Sequence, residues 1–274
     1  MSQGLKWPVS LLAVAASGVL AQSAATRPAF DAFEVATIKP TAPDQQARYI
    51  RMQSTNRFYA TGFTLNALVA AAYSLTPRAI SGGPAWADSD RYDILASTPG
   101  DSQPNVVQPN LDEQMAMLRK LVSDRFQLTF HREPKELPIY SLTVAKGGPK
   151  LKLSSDPPDG QPYLVNTIFP EEKGGVHVEL PARNATMTQF VAMMQRAVAD
   201  RAVVDNTGLT GRYDFQLEWT PDESQFGGNL PRSVESTKPS LFSAIQEQLG
   251  LRLEATRGAV SALVIDRVER PSEN

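Results

Sequence analysis

Two stretches of the chain carry one pattern of apolar and polar positions. Phe63, Thr64, Leu65 and Leu68 lead to Arg91-Tyr92-Asp93-Ile94. About 120 residues later, Ala185, Thr186, Met187 and Phe190 lead to Arg212-Tyr213-Asp214-Phe215. Each copy is followed by a spacer rich in Pro, Gly, Ser and Asp, Pro99 to Pro109 in one and Thr220 to Pro239 in the other. A helix-period segment and two strand-like runs come next. Tandem copies of a supersecondary unit bury their apolar faces against each other, so the pattern predicts two like modules.

Within the first copy, Phe33 to Ile38 alternates as a strand and stops at Pro40, and Tyr49 to Tyr59 is a weaker run. Thr64 reads as an N-cap for a helix with Leu65, Leu68, Val69 and Ala72 on one face, ended by Pro77. Tyr92 to Ser97 is a strand, with Trp86 packing beneath it. Asn110 with Glu113 opens a helix whose buried face is Met115, Leu118, Leu121 and Val122. Phe126 to His131 and Ile139 to Ala145 then read as two strands, joined by a connection containing Pro134 and Pro138.

The second copy follows the same plan. Val176 to Leu180 is a strand, and Thr186 with Gln189 caps a helix bearing Met187, Phe190, Val191, Met194 and Val198. Val203-Val204-Asp205 and a Gly208-containing turn lead to the strand Tyr213 to Trp219. Ser240 caps a helix bearing Leu241, Phe242, Ile245 and Leu249, with Gly250 closing it. Leu251 to Ala255 and Ala262 to Val268 end the chain as two strands. Residues 147–175 are crowded with turn formers and read as a linker, within which Tyr163 to Phe169 predicts an added edge strand. The expectation is an α+β protein of two similar halves from an internal duplication, each a small mixed or antiparallel sheet packed with two helices. The halves are 22–146 and 176–274.

The first 21 residues change this picture by giving it an address. Lys6, the apolar stretch Trp7 to Leu20 and the small side chains of Val19-Leu20-Ala21 form a signal-peptide pattern, with cleavage expected after Ala21 and retention as an N-terminal anchor the alternative. The mature chain is then expected in the periplasm or secreted, with no membrane span. It would carry 26 basic against 29 acidic side chains, scattered without a basic patch, which argues against nucleic acid. The sequence contains no Cys. Disulfides, thiol catalysis and Cys-ligated metals are therefore excluded.

Candidate chemistry is sparse, and no cofactor is expected. His131 with Glu133 and His177 with Glu179 each place an imidazole and a carboxylate on one strand face, so the four together are the metal candidates. Solvated strand faces produce the same spacing. Asp88, Asp90 and Asp93 near Trp86 and Tyr92 sketch a carbohydrate site, against the plainer reading of a core Trp86 with Asp88 and Asp90 as turn residues. The repeated Arg91/Asp93 and Arg212/Asp214 project from one face while Tyr92 and Tyr213 point to the core; they form either surface pairs or two equivalent recognition edges. No Gly-x-Ser-x-Gly elbow, Ser-x-x-Lys motif or phosphate-cradling loop is present.

A set of blocks carries a resemblance. Phe33-Glu34-Val35-Ala36-Thr37-Ile38-Lys39-Pro40, Gly82-Gly83-Pro84-Ala85-Trp86, Arg91-Tyr92-Asp93-Ile94, Val144-Ala145-Lys146-Gly147-Gly148-Pro149, Val204-Asp205-Asn206-Thr207-Gly208-Leu209 and Leu263-Val264-Ile265-Asp266 resemble those of a large family of uncharacterised exported proteins expanded in soil bacteria. That family brings no activity to carry over. Related domains that follow membrane-embedded peptidase-type sensors imply an extracytoplasmic sensing or binding role. Thr186-Met187, Ser240-Leu241-Phe242 and Leu249-Gly250-Leu251 are similar to the small N-terminal periplasmic modules of secretins and TonB-dependent receptors, which bind other proteins. The functional expectation is a non-catalytic binding or sensory module for a protein, peptide or envelope component such as the cell wall, acting through an exposed sheet edge. The alternative is an extracytoplasmic hydrolase using paired carboxylates.

Overall fold

The computed structural model describes residues 28–53, 56–100, 108–195, 200–226, 230–231, 236 and 238–271. The leader pattern, Val198 and parts of both spacers lie outside them. The fold is α+β, built on three sheets.

Strands β1 (Val35–Pro40), β2 (Tyr49–Gln53) and β3 (Arg57–Thr64) precede helix α1 (Leu65–Tyr73). The Thr64 hydroxyl accepts from the Ala67 N–H to start that helix, and Ser74 in the left-handed region ends it, three residues before Pro77. A 3₁₀ turn (Pro77–Ala79), β4 (Ile80–Gly82), α2 (Trp86–Ser89) and β5 (Arg91–Ser97) follow. The sheet β1-β5-β3-β2 is antiparallel throughout. Helix α3 (Leu111–Arg125) opens with the Asn110/Glu113 capping box, satisfying donors that would otherwise be orphaned at the helix start. It leads into β6 (Thr129–Val144).

The presumed linker belongs to the second sheet. Its strands β7 (Lys152–Leu153), β8 (Tyr163–Leu164) and β9 (Thr167–Pro170) pair with the elements after it. These are β10 (Val176–Ala185), α4 (Met187–Met193, with the Thr186/Gln189 capping box), β11 (Ala202–Asp205), β12 (Tyr213–Trp219), α5 (Leu241–Leu249) and β13 (Leu251–Arg267). Gly250 sits in the left-handed region at the end of α5. A Cβ there would lie 2.2 Å from the Gly148 carbonyl oxygen, so the position requires glycine. The second sheet runs β7-β12-β10-β8, with β9 also on β10.

The third sheet corrects the sequence reading. Residues 126–145 do not form two strands around a proline connection, and 251–268 do not form two strands either. Each stretch holds a single long strand, and β6 and β13 pair antiparallel from Val144 opposite Leu251 to Thr129 opposite Arg267. Pro134 and Pro138 are tolerated because both fall on the alternation whose N–H groups face away from β13. Leu142 on that alternation gives its carbonyl to Asn206 beyond β11, and β11 joins β6 only from Ile139 onward. The missing N–H of each proline therefore faces an open side.

This sheet also crosses the halves. β4 pairs parallel with β13, and β11 pairs parallel with β6, giving the order β11-β6-β13-β4. Two separate cores result. Leu263 and Ile265, from the second half of the sequence, are buried with Leu68, Leu118 and Phe126 of the first. Tyr140 and Leu142, from the first half, are buried with Phe190, Trp219 and Leu249 of the second. Leu111 packs against both cores, and the Gln189 amide donates to Asp112 across the boundary at 3.2 Å.

Because Leu263 is fully buried in the core opposite its own half, Leu263→Ala is expected to cost about 3 kcal/mol. Hydrogen exchange should accelerate in α1 and α3 before α4 and α5. Faster exchange confined to α4 and α5 would contradict the crossed architecture.

Candidate functional site

The repeated Arg-Tyr-Asp occupies equivalent places in the two lobes. In β3 the register shifts between Ala60 and Phe63, around Gly62 at φ +71°; in β10 it shifts between Ala182 and Ala185, around Asn184 at φ +51°. Each bulge is clasped from the adjacent strand. The Gly62 N–H donates to Asp93 at 2.8 Å, and Arg91 donates to the Gly62 carbonyl at 3.1 Å. The Asn184 N–H donates to Asp214 at 2.9 Å, and Arg212 donates to the Asn184 carbonyl at 2.9 Å. Tyr92 and Tyr213 are buried, as their alternation predicts.

Arg and Asp thus grip a neighbouring backbone and not each other. Arg91 also donates to the Gln45 carbonyl at 2.8 Å, and Asp93 accepts from the Thr41 hydroxyl at 2.7 Å. The Asn184 amide extends the second clasp by donating to the Pro157 and Gly160 carbonyls, which fixes the 154–161 loop. The Asn184 N–H, with Ser154, Lys152 and Arg183, holds the Asp214 carboxyl below the usual carboxylate range.

Trp86 and Asp88 lie next to the first clasp. Arg270 stacks 5.0 Å from the Trp86 ring centroid and donates to Asp90 at 2.9 Å, tying the last strand's extension to the first lobe. Asp88 accepts from the buried Asn66 amide at 2.6 Å. A cavity of about 340 Å³ opens between Ile38, Thr41, Asp90, Arg91, Tyr92 and Arg270. Burial raises the Tyr92 hydroxyl above its ordinary value, with Asp90 adding to the effect. Asp88, Asp90 and Asp93 are each held by a different partner, Asn66, Arg270 and the Gly62 N–H, so the carbohydrate sketch gains no converging pair.

The four metal candidates do not converge. His131 and Glu133 stand on β6, where His131 meets Asp266 at 2.8 Å; His177 and Glu179 stand on β10, in another sheet. Among the described residues no group of three or more His, Asp or Glu side chains is arranged to hold a metal ion.

His177 has company that sequence spacing did not reveal. The hairpin closed by the Glu171 N–H and the Gly175 carbonyl sets Phe169 opposite His177. The two rings stack at 5.5 Å. Glu171 approaches His177 Nδ1 at 3.6 Å, and Glu179 approaches Nε2 at 3.4 Å. Glu218 lies directly across from Glu179 and is bridged by Lys238, whose ammonium is held above its ordinary value by Glu218. Reading Glu171 to Gly175 as a hairpin turn between alternating runs was the signal that could have brought Phe169 and His177 together.

Beside this cluster runs an apolar sheet edge. Of eight large hydrophobic side chains clearly exposed among the described residues, four lie within seven residues: Tyr163 at 49%, Val165 at 43%, Ile168 at 42% and Phe169 at 38%. All four belong to the β8–β9 stretch, which pairs on one side with β10 and, among the described residues, has no strand on the other. The Glu171 N–H points toward β10, so alternation turns the N–H and carbonyl of Ile168 outward.

These features define an α+β protein of two lobes, each with a clasped bulge, and an exposed apolar strand on the second. The chain belongs to the DUF3738 family of proteins of unknown function, whose sequence profile matches residues 66–268. No curated protein and no solved structure matches it. Among the described residues no helix is long and apolar enough to cross a membrane.

Two outcomes test the clasp. Gly62→Ala is expected to cost about 3 kcal/mol in denaturant unfolding, since its φ is positive and a Cβ would sit 2.3 Å from the Ala47 carbonyl oxygen. A cost below about 1 kcal/mol would show that the bulge relaxes. Asp214 has a lowered native pKa, so its contribution is present above the unfolded value of about 3.9 and is lost as pH falls through the native value. The Tm gap between wild type and Asp214→Asn should hold from neutral pH to about pH 5 and close as pH falls below the unfolded value of about 3.9. A gap independent of pH would remove the carboxylate from the clasp.

Proposed function

We propose that this protein is an exported, non-catalytic recognition module that captures an extended polypeptide segment by adding it as a strand beside β9. The single observation carrying this reading is the run from Tyr163 to Phe169. It combines four exposed apolar side chains with outward backbone groups at Ile168, on a strand whose second edge no described strand pairs. Strand addition draws affinity from main-chain hydrogen bonds and selectivity from alternate side chains. The leader pattern in the first 21 residues supports a periplasmic or secreted address, where the partner is an envelope protein, a peptide or a cell-wall component.

The hydrolase alternative has one arrangement in its favour, His177 between Glu171 and Glu179. That arrangement is unsuited to activating a nucleophile. A triad histidine gives one ring nitrogen to an orienting carboxylate and keeps the other for the nucleophile, whereas both nitrogens of His177 face carboxylates. The carboxylates nearest the clasps and His177 are engaged as well: Asp93 and Asp214 with backbone N–H groups, Glu179 with His177 and Glu218 with Lys238.

Screening the protein against a library of ten-residue synthetic peptides and mapping the best binder by hydrogen exchange tests the proposal. Protection is expected at the Ile168 amide and along β8 and β9. Protection centred on the cavity by Arg91 and Arg270, with β9 unchanged, would overturn it.

A further inference from the structure

The edge strand is set in an acidic surround. Between Asp156 and Glu179 the chain holds five carboxylates against one lysine, Lys173. Arg183 and Lys152 at the Tyr163 end are offset by Asp214, whose carboxyl they help to hold ionised. At the Phe169 end, among the described residues, Glu171, Glu172, Glu179 and Glu218 outnumber Lys173 and Lys238.

Glu179 is the carboxylate placed to receive a visitor. Among the described residues its two oxygens are met at 3.4 Å, one by His177 and the other by the Gln216 amide, and its side chain is one-third exposed. Charge-assisted hydrogen bonds run nearer 2.7–2.9 Å, so both contacts are long for an ionised acceptor. Glu218 across from it holds Lys238 in direct contact, while Glu179 feels that ammonium through space without contacting it. On the edge side, Glu179 is opposite Thr167, the smallest side chain on that face of β9, with Phe169 rising next to it. A strand added beyond β9 would lie about 10 Å from the β10 backbone, two strand spacings away. An Arg or Lys side chain spans that gap by passing over Thr167, its stem against the Phe169 ring and its charge at Glu179. On the opposite face, the neighbouring residues of the added strand meet Ile168 and favour apolar side chains.

We infer that the segment captured at this edge alternates apolar and basic residues, with the Arg or Lys opposite Thr167 recognised by Glu179. This rests on the strand-addition reading and narrows it to a cationic partner. The same acidity disfavours a second copy of this chain in that place, because like-charged edges would be brought together.

The test uses the whole protein and three fluorescent ten-residue peptides in which Val alternates with Lys, with Ser or with Glu, followed by anisotropy. The Lys peptide is expected to bind about tenfold more tightly than the Ser peptide, and the Glu peptide more weakly still. Glu179→Gln should bring the Lys peptide to the level of the Ser peptide, and Glu179→Lys should reverse the preference toward the Glu peptide. Equal binding of all three, lost together in Ile168→Pro, would overturn the cationic partner while leaving strand addition standing. Binding that survives Ile168→Pro, or no binding of any peptide, would overturn strand addition itself. Ile168→Lys, which leaves the ladder donors intact, serves if the proline variant does not fold: it should weaken the Lys peptide most, and an unchanged affinity counts against the edge.

Discussion

Everything in this molecule hangs on the antiparallel ladder between β6 and β13. Its ends are buried in different cores: Leu263 and Ile265 at one end, Leu142 and Leu253 at the other. The middle, from Glu133 to Glu136 and from Thr256 to Arg257, is largely exposed. Such a ribbon gains little from burial along its middle and would be marginal alone. What holds it is that each end is flanked by a short parallel strand and covered by helices, so hydrophobic burial at the ends fixes the register between them. Because β4 and β11 each pair with the long strand of the other half, neither half completes its sheet from its own sequence.

That crossing explains which part of the fold was legible and which was not. Helix starts were readable because capping is local chemistry: Thr64, Asn110, Thr186 and Ser240 each accept from a backbone N–H within three residues. Strand identity was readable from alternation, including Tyr213 to Trp219 and the edge near Tyr163 to Phe169. The continuity of β6 was not, because proline reads as a breaker unless one knows which side of the strand lacks a neighbour. That is a fact about β11, some 60 residues further on. Exchange between the halves is likewise a long-range pairing with no local signature.

The Arg-Tyr-Asp repeat shows the same limit at the level of side chains. Spacing correctly sent the tyrosines inward. It could not show that Arg and Asp reach across to a bulge in the preceding strand, because the bulge is a single left-handed residue, Gly62 in one lobe and Asn184 in the other. Gly is free to adopt that conformation, and Asn is one of the few side-chain-bearing residues that tolerates it. A bulge re-aims its strand, and here a carboxylate and a guanidinium take up the N–H and C=O of its left-handed residue. The most conspicuous charged motif of the chain is therefore committed to architecture in both lobes, which moves the search for recognition away from it.

What remains is an edge that is neither protected nor inert. Natural sheets blunt their edges with prolines, charges or short strands, and β9 has each device in partial form: it spans four residues, ends at Pro170 and runs into Glu171 and Glu172. Yet Ile168 and Phe169 keep apolar surface exposed where a polar residue would cost nothing in the core, since neither is needed to fill it. Partial protection of this kind admits a partner that satisfies the charges and rejects one that does not, which is how an exposed strand can stay selective without being buried. The alternative, that these side chains are exposed by accident, does not account for their confinement to one stretch. The edges offered by β1 and β2 in the first lobe carry Lys39, Pro40 and Arg51 and only one comparably exposed apolar side chain, Val35. The asymmetry between two lobes so alike in element order is thus located on the segment between Asp156 and Glu179, where the second sheet gains strands at the edge the first sheet fills with β2.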